Sequence, residues 1–209
     1  MLIWGQKRKH FQMAFKRIID VIVASFLIVL FGIPLIIVAI AVKLDSPGPV
    51  FYPHDRVGQN GKRFRMYKFR SMYVDADKAK AGLLNKNETD APLFKMKHDP
   101  RRTRVGGIIR RFSIDEFPQL LNVWMGHMSL VGPRPALPEE AEQYTDYHAH
   151  RVVAVPGMTG LWQVSGRSLL SFEQMVDLDV RYAREWSVWL DLFILIKTVP
   201  VILGGKGAY

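Results

Sequence analysis

The stretch Val21–Val42, VIVASFLIVLFGIPLIIVAIAV, decides how the rest of this 209-residue chain can fold. No charged residue occurs between Asp20 and Lys43, and a helix needs about 20 apolar residues to cross the hydrocarbon core of a bilayer. Pro34 lies in the middle of the stretch, where it removes a backbone donor and clashes with the preceding turn. The stretch therefore predicts a membrane-embedded helix with a sharp bend near Pro34.

Basic residues flank this apolar stretch on both sides, with Lys16 and Arg17 before it and Lys43 after it. The positive-inside rule then gives no preferred direction of crossing, and it is satisfied best when both ends face the cytoplasm. We therefore predict a re-entrant helical hairpin that dips into one leaflet and returns, in preference to a transmembrane span. A buried core helix and a cleaved signal peptide are less favoured, the latter because the stretch is too long and no small-residue cleavage site follows it.

The composition limits what the remainder can be. A chain of 209 residues suits one domain with a sizeable core plus an anchor, and we place the boundary between residues 1–44 and residues 45–209. The chain has no cysteine, which excludes disulfides and thiolate metal sites and makes the cytoplasmic side the default. The net charge of +10 favours anionic partners, whether nucleic acid, acidic lipid headgroups or phosphorylated small molecules.

The second informative stretch is Arg110–Pro135, RRFSIDEFPQLLNVWMGHMSLVGPRP, which contains the adjacent acids Asp115 and Glu116. In a site that moves a phosphoryl group, one carboxylate can attack phosphorus while its neighbour holds a hard divalent ion. Such a site also needs cationic donors for the phosphate oxygens. The stretch supplies three candidates for that role: Arg110, Arg111 and Arg134.

The same residues also fit a plain structural role. Ser113 and Glu116 have the S-x-x-E spacing of a capping box, and the amphipathic run Phe117–Met125 follows them. The two interpretations are compatible, because a helix N-terminus favours an ionised carboxylate and a nearby phosphate. Glu116, however, cannot readily both cap a helix and bind a metal.

Two further segments offer ligand contacts. A β-hairpin is predicted around Gly58–Gly61, and Lys68 and Arg70 on its second strand either contact substrate or form a solvated basic edge. The turn-rich segment 155–167 would let backbone approach a ligand closely, with Arg167 adjacent, although a structural turn is the favoured interpretation.

Other helices are predicted from turn signals and apolar spacing. They are a short charged helix before an Asn-rich loop in Met72–Lys97, an arginine-rich helix over Asp99–Arg111, a helix over Pro138–Arg151, and a C-terminal helix over 171–203. His148 and His150 are interpreted as surface histidines, because residues i and i+2 of a helix do not share a face. Trp186 and Trp189 suit either a membrane interface or the core.

The order of these motifs closely resembles the bacterial sugar transferase family, the monotopic phosphoglycosyl transferases that initiate exopolysaccharide and O-antigen assembly. The shared motifs are, in chain order, FKRIIDVIVASFLIVL (15–30), DSPGPVFYPHDRVGQNGKRFRMYKFRSM (45–72), RRFSIDEFPQLLNVWMGHMSLVGPRP (110–135), VPGMTGLWQVSGR (155–167) and LDVRYAREWSVWLDLFILIKT (178–198). The resemblance covers nearly the whole chain, from Phe15 to Lys197.

The resemblance implies a polyprenyl-phosphate glycosyl-1-phosphate transferase, which moves a sugar 1-phosphate from a UDP-sugar onto undecaprenyl phosphate and releases UMP. It makes Asp115 the nucleophile of a ping-pong reaction and Glu116 the ligand of Mg²⁺. It also implies phosphate or nucleotide contacts, not separated into donor and acceptor, at four basic positions: Lys68, Arg110, Arg134 and Arg167. Galactose or glucose is the sugar that we favour.

The implied fold is α+β and mostly helical, with an N-terminal re-entrant membrane helix and a cytosolic catalytic domain. That domain carries a small β-hairpin or sheet and interfacial amphipathic helices. The enzyme is expected on the bacterial inner membrane, monotopic, with this domain facing the cytoplasm, as a homodimer and without a nucleic-acid partner. One departure concerns the bend, since Ile33 precedes Pro34 where the family often has serine, and Ser25 is too far away to bond the freed carbonyl.

Larger relatives carry four additional transmembrane helices ahead of this domain, so the chain is expected to be a short member or the catalytic part of a larger protein. Three other classes compete with the transferase. A non-catalytic, membrane-tethered basic binding protein would not depend on Asp115. A metal-dependent phosphatase or hydrolase would pass the phosphoryl group to water, and a structural partner in an envelope assembly would tolerate loss of both acids.

Overall fold

The computed structural model describes residues 2–86, 96 and 99–204, and in them the fold is α+β and mostly helical, as predicted. The helices are, in chain order, α1 (Leu2–Asp45), α2 (Ala76–Lys80), α3 (Arg104–Arg111), α4 (Gln119–Met125), α5 (Pro138–Ala141), α6 (Asp146–Ala149), α7 (Leu161–Val164), α8 (Phe172–Glu185) and α9 (Val188–Gly204). The strands are β1 (Phe51–Val57), β2 (Arg63–Phe69), β3 (Ser129–Val131) and β4 (Gly157–Thr159). Short 3₁₀ turns lie at Gln59–Gly61, Ala81–Lys86, Ile114–Glu116, His150–Val153 and Arg167–Leu169.

Helix α1 is one 44-residue helix that continues through Pro34, where a hairpin of two helices was expected. Its segment Phe11–Asp45 is long and apolar enough to cross a membrane, and no other helix in the described residues meets that criterion. Length and composition alone are weak evidence of membrane association. The re-entrant placement stays a prediction.

One face of α1 packs along its length against the rest of the molecule. Ala24 and Val42 are buried on this face, and residues spaced by three or four positions pack beside them: Val23, Leu27, Ile28, Leu35, Val38 and Ala39. The opposite face is apolar and exposed, with Val29 82% and Ile33 75% exposed. A helix whose unpacked face is uniformly apolar is suited to a lipid environment.

Helix α1 is fixed to the same body of the protein on both sides of its apolar stretch. Just before this stretch, Lys16 Nζ donates to the carbonyl of Val131 at 3.0 Å, and Asp20 accepts from the amide of Leu130 at 3.0 Å. At the far end, Asp45 accepts from the amide of Val105 at 2.9 Å. The helix is therefore bound to the domain on both sides of its apolar stretch.

The predicted hairpin is confirmed. Strands β1 and β2 pair antiparallel over their full length, with Tyr52 opposite Lys68 and Arg56 opposite Phe64. The buried side chain of Asn122 in α4 then joins the outer edge of β2 by accepting from the amide of Tyr67 at 2.9 Å and donating to the carbonyl of Arg65 at 2.7 Å. These two hydrogen bonds to the edge of β2 fix the hairpin relative to α4.

Strands β3 and β4 form a second, parallel pair that the sequence did not predict, because 155–167 was interpreted as turns. Gly132 donates to the carbonyl of Thr159 at 2.9 Å, and Gly157 donates to that of Pro133 at 2.9 Å. A Cβ atom at either glycine would collide with backbone of the other segment, so both positions require glycine. The close approach places the loop after β3 beside β4.

Several predicted helix boundaries were wrong. Helix α3 begins at Arg104, since the side chain of Thr103 caps it by accepting from the amide of Gly106 at 2.9 Å. The helix expected over Pro138–Arg151 is two short helices, α5 and α6, followed by a 3₁₀ turn. The short charged helix of Met72–Lys97 is α2, while the Asn-rich loop after it lies largely outside the described residues.

The C-terminal helix predicted over 171–203 is divided into α8 and α9 at Trp186. The two tryptophans have different surroundings. Trp186 packs against the main core and donates from its indole nitrogen to Asp191 at 3.1 Å. Trp189 is 79% exposed on α9, beside further exposed apolar side chains of that helix.

Candidate active site

The two adjacent acids lie on the 3₁₀ turn Ile114–Glu116, which connects α3 with α4. The capping-box interpretation of this segment was wrong. Ser113 has a left-handed backbone conformation, with φ 54°, and its side chain caps no helix, while α4 begins three residues after Glu116, at Gln119. Glu116 is therefore free of a capping role.

Asp115 is buried, with 8% of its surface exposed, and it forms no ion pair with any residue that the structure describes. Burial raises the pKa of Asp115 to about 6, with a contribution from the charge of Glu116, against the opposing influence of Lys68 and Arg110. A carboxylate that is weakly solvated and lacks a fixed partner is a better nucleophile than one held in a salt bridge.

Glu116 is in the opposite situation. Lys68 Nζ lies 2.6 Å from its Oε1 atom, and the side chain of Glu116 is 29% exposed. Burial would raise the pKa of Glu116, but Lys68 and Arg134 outweigh that effect and lower it to about 2. The environment thus drives the pKa values of two neighbouring carboxyls apart, which is how an enzyme gives similar groups different tasks.

Both acids face a cavity of about 560 Å³, a volume typical of small-molecule sites. All five predicted substrate-binding residues line it with them: Lys68, Arg70, Arg110, Arg134 and Arg167. The side chain of Arg134 is exposed, and its guanidinium lies 5.9 Å from the centre of the Trp162 ring. The structure therefore brings together basic residues that are far apart in sequence.

Arg70 is the exception among the predicted residues. It also borders the cavity, but its buried guanidinium donates to carbonyls at the end of α1, to Ser46 at 2.7 Å, to Val42 at 3.2 Å and to Pro47. These bonds satisfy groups that a helix end leaves without intrahelical partners. The placement favours a structural role over a substrate contact.

Sequence reasoning missed three cavity residues on β1, Tyr52, His54 and Arg56. Arg56 is buried and donates to the carbonyl of Pro135 at 3.2 Å, and burial together with Arg134 lowers its pKa to about 10. Burial and the charge of Arg56 lower the pKa of His54 to about 4. The signal that could have found them is strand alternation, since residues i and i+2 point to the same face.

A buried ion pair between Arg151 and Asp179 lies near Arg134. Arg151 Nη2 lies 2.5 Å from Asp179 Oδ2, and Arg151 Nη1 donates to the hydroxyl of Tyr144 at 2.9 Å. Burial raises the pKa of Asp179 to about 6, opposed by Arg151 and Arg134. His148 was predicted as a surface histidine, but its side chain is only 12% exposed, and it pairs at 3.1 Å with exposed Glu173. It belongs to no metal cluster among the described residues.

The carboxylates of the cavity can be compared with the ligands that the expected Mg²⁺ ion requires. Across the described ranges no three His, Asp or Glu side chains converge on one point. Mg²⁺ nevertheless often keeps several waters and takes its other ligands from one or two carboxylates and from substrate phosphates. Glu116 is held ionised and faces the cavity, so the donor set fits an ion that is carried partly by a phosphorylated substrate.

Residues 11–205 match a family model described as bacterial sugar transferase. Galactosyl transferase CpsE of Streptococcus agalactiae is 44% identical over 201 residues, which cover 96% of this chain and 44% of the relative. Undecaprenyl-phosphate galactose phosphotransferase of Salmonella typhimurium is 45% identical over 93% of this chain and 41% of its own length. Exopolysaccharide production protein ExoY of Rhizobium meliloti is 39% identical over 93% of this chain and 88% of the relative. The chain thus spans less than half the length of the first two relatives.

Proposed function

Because this chain belongs to the bacterial sugar transferase family, we propose that it transfers a sugar 1-phosphate from a UDP-sugar to undecaprenyl phosphate, giving undecaprenyl-diphosphate-sugar and UMP. The names of its relatives support this reaction, since they include an undecaprenyl-phosphate galactose phosphotransferase and a UDP-glucose:undecaprenyl-phosphate glucose-1-phosphate transferase. They also support galactose or glucose as the sugar.

The observation that carries the proposal is the contrast between the two acids at the cavity. Asp115 is buried and has no ion-pair partner among the described residues, whereas Glu116 is bonded to Lys68. The basic side chains that line the cavity with them include Arg56, Lys68, Arg110, Arg134 and Arg167. This is the charge distribution that a diphosphate needs if a carboxylate is to approach its phosphorus.

The first displacement would occur at the sugar-linked phosphorus of the donor. A carboxylate oxygen of Asp115 forms a bond to this phosphorus, and the bond from phosphorus to the bridging oxygen breaks, so that UMP leaves with the electron pair. The basic side chains stabilise the negative charge that accumulates on the leaving phosphate. The product is an acyl phosphate that joins Asp115 to the sugar phosphate.

The second displacement would return Asp115 to its starting state. A phosphate oxygen of undecaprenyl phosphate forms a bond to the same phosphorus, and the bond to Asp115 breaks. No base is required, because the attacking phosphate is already ionised, and no proton is gained or lost overall. A bound Mg²⁺ ion, with Glu116 as its protein ligand, would neutralise part of the diphosphate charge.

We further propose that the protein is monotopic on the bacterial inner membrane, with the cavity on the cytoplasmic side. Two features support this. The exposed face of α1 is apolar along its length, and Lys16 and Asp45, at opposite ends of the apolar stretch, both bind the same domain. A helix that crossed the bilayer would carry these two residues to opposite surfaces. A shallow, re-entrant placement leaves both on one side.

The proposal is tested with protein in nanodiscs, Mg²⁺ and a panel of UDP-sugars, each with and without undecaprenyl phosphate. We expect lipid-dependent release of UMP from one or two sugars and none from the Asp115→Asn variant. Sustained UMP release without the lipid would instead indicate a hydrolase that uses water as acceptor. No release from any sugar would contradict the transferase and favour the non-catalytic binding protein.

A further inference from the structure

The cavity has a second end that the two displacements do not use. On β1, the alternate residues Tyr52, His54 and Arg56 all line the cavity, since side chains two positions apart point to one face of a strand. At about 3.3 Å of rise per residue, Tyr52 lies about 13 Å along the strand from Arg56. The strand therefore leads from the cationic end of the cavity to a distant polar end.

The polar end is built around Asp77 of α2. The hydroxyl of Tyr52 donates to Asp77 Oδ2 at 2.6 Å, and the ring of His54 meets the ring of Tyr52 edge-on, with 4.8 Å between centroids. All three residues line the same cavity as Asp115, and so does Arg101, whose guanidinium pairs with Asp99 at 2.7 Å. The helix that carries Asp77 is held in place through buried Ala76, whose carbonyl accepts from the guanidinium of Arg101 at 3.4 Å.

The chemistry of these groups selects for hydroxyls. The carboxylate of Asp77 accepts hydrogen bonds and repels phosphate, and the Tyr52 hydroxyl, which donates to Asp77, retains lone pairs for a second donor. Burial and the neighbouring Arg56 and Lys68 hold the pKa of His54 at about 4, so its neutral ring offers one donor and one acceptor. A polyhydroxylated ring meets these requirements.

A nucleobase fits this end poorly. Uracil presents two carbonyl oxygens and a single N–H donor on its polar edge, and a carboxylate repels the carbonyls. The cavity wall from β4 and α7 instead carries Met158 and Trp162, which offer the apolar and aromatic surface on which a base packs. The chemistry of the base therefore matches the wall formed by β4 and α7, and not the polar end of the cavity at β1.

We propose that Tyr52, His54 and Asp77 form the subsite for the donor's hexose, and that Asp77 distinguishes the configuration of its hydroxyl groups. The inference rests on the proposed function, because it presumes a UDP-hexose with its phosphates at the cationic end. It assigns sugar selectivity to β1 and α2, which are separate from the turn that bears Asp115.

The test compares Asp77→Asn and Tyr52→Phe with the control Asp75→Asn, all in the full chain in nanodiscs. Asp75 is an exposed acid two residues before Asp77 that pairs with Lys78 at 3.0 Å, and it does not line the cavity. Two quantities are measured: kcat/KM for UMP release from UDP-galactose and UDP-glucose, and the Kd of UMP by calorimetry. Circular dichroism and the thermal midpoint check that each variant is folded.

For Asp77→Asn we expect kcat/KM with the preferred hexose to fall by about tenfold or more, as for loss of a hydrogen bond to a charged group. The ratio between the two epimeric donors should move toward one, while the Kd of UMP stays unchanged. Tyr52→Phe should change selectivity in the same direction by a smaller factor, and Asp75→Asn should alter neither quantity.

An unchanged epimer ratio in folded Asp77→Asn and Tyr52→Phe would overturn the hexose subsite. A loss of UMP affinity equal to the loss in kcat/KM would also overturn it, because it would assign the polar end to the ribose of the nucleotide. Failure of the proposed function would give a different result, because the unmodified protein would then release no UMP from any UDP-sugar.

Discussion

Two lysine–carboxylate pairs, Lys16–Asp191 and Lys68–Glu116, have nearly the same geometry and opposite surroundings. Their N–O distances are 2.5 and 2.6 Å. In the first pair both side chains make further hydrogen bonds within the fold. Lys16 also donates to the carbonyl of Val131, and Asp191 also accepts from Tyr182 and Trp186. The second pair borders a cavity and lies beside an acid with no ion-pair partner among the described residues.

The comparison shows that an ion pair alone does not reveal whether it is structural or functional. The Lys16 pair joins α1 and α9 to β3 and leaves little for a ligand to bind. The Lys68 pair leaves Glu116 partly exposed, and Asp115 beside it has no ion-pair partner in the part of the chain that the structure describes, so donors and acceptors remain for a substrate. Unsatisfied donors and acceptors beside a cavity are typical of functional sites, and for this reason we infer that the Lys68 pair is the functional one.

The largest effect is expected from removing Asp115, the proposed nucleophile. Asp115→Asn keeps the shape of the side chain but cannot form the acyl phosphate, so we expect kcat to fall by at least about 10⁴-fold. The thermal midpoint should stay the same or rise, since a buried charge is removed. UMP release and thermal unfolding are measured on the same preparation, and substantial residual UMP release by this variant would contradict the assignment.

Removing the lysine of the structural pair should instead destabilise the protein. Lys16→Met leaves Asp191 buried without a cation, which costs about 3–5 kcal/mol of unfolding free energy. The matched variant Lys68→Met should cost less stability, because water in the cavity can solvate Glu116, while it strongly reduces activity. Unfolding monitored by circular dichroism and UMP release are compared for both variants. Equal losses of unfolding free energy in both variants would contradict the distinction between a structural and a functional ion pair.

The pH dependence offers a more moderate test. The pKa of Asp115 is raised from 3.8 to about 6 in the folded state, so kcat/KM should fall about tenfold per pH unit below 6 as the nucleophile is protonated. Between pH 4 and about 6 the folded state binds more protons at Asp115 than the unfolded state, so this group's contribution to stability decreases as pH rises. Thermal midpoints of the wild type and Asp115→Asn should converge toward pH 4. A rate that is flat down to pH 5 would contradict the raised pKa.

The smallest expected effect concerns the turn that carries the acids. Ser113 has φ 54° and caps no helix, so Ser113→Gly should be neutral or stabilise the fold by less than about 1 kcal/mol, because glycine adopts this conformation without strain. A true capping serine would lose stability on the same change. Thermal unfolding distinguishes the two cases, and a clear loss with Ser113→Gly would restore the capping interpretation.

The sequence predicted those parts of the structure that depend on local pattern. The apolar helix, the hairpin and the two adjacent acids follow from hydropathy, turn residues and motif spacing. What it missed depends on tertiary contacts. Arg70 has the same residue type as Arg134 and also borders the cavity, yet its guanidinium donates to carbonyls at the end of α1. Similarly, β3 pairs with β4 in parallel, and no local sequence pattern in either segment indicates that the two would pair.

The central claim is that Asp115 carries the sugar phosphate as a covalent intermediate. Protein in nanodiscs is incubated with the accepted UDP-sugar and Mg²⁺ without undecaprenyl phosphate, and intact mass and peptide mapping are recorded before and after addition of the lipid. The account predicts a mass increase of one sugar phosphate on the peptide that contains Asp115, lost when the lipid is added and absent from Asp115→Asn. Lipid-dependent turnover without any such adduct in rapidly quenched samples, or an adduct on another residue, would contradict it.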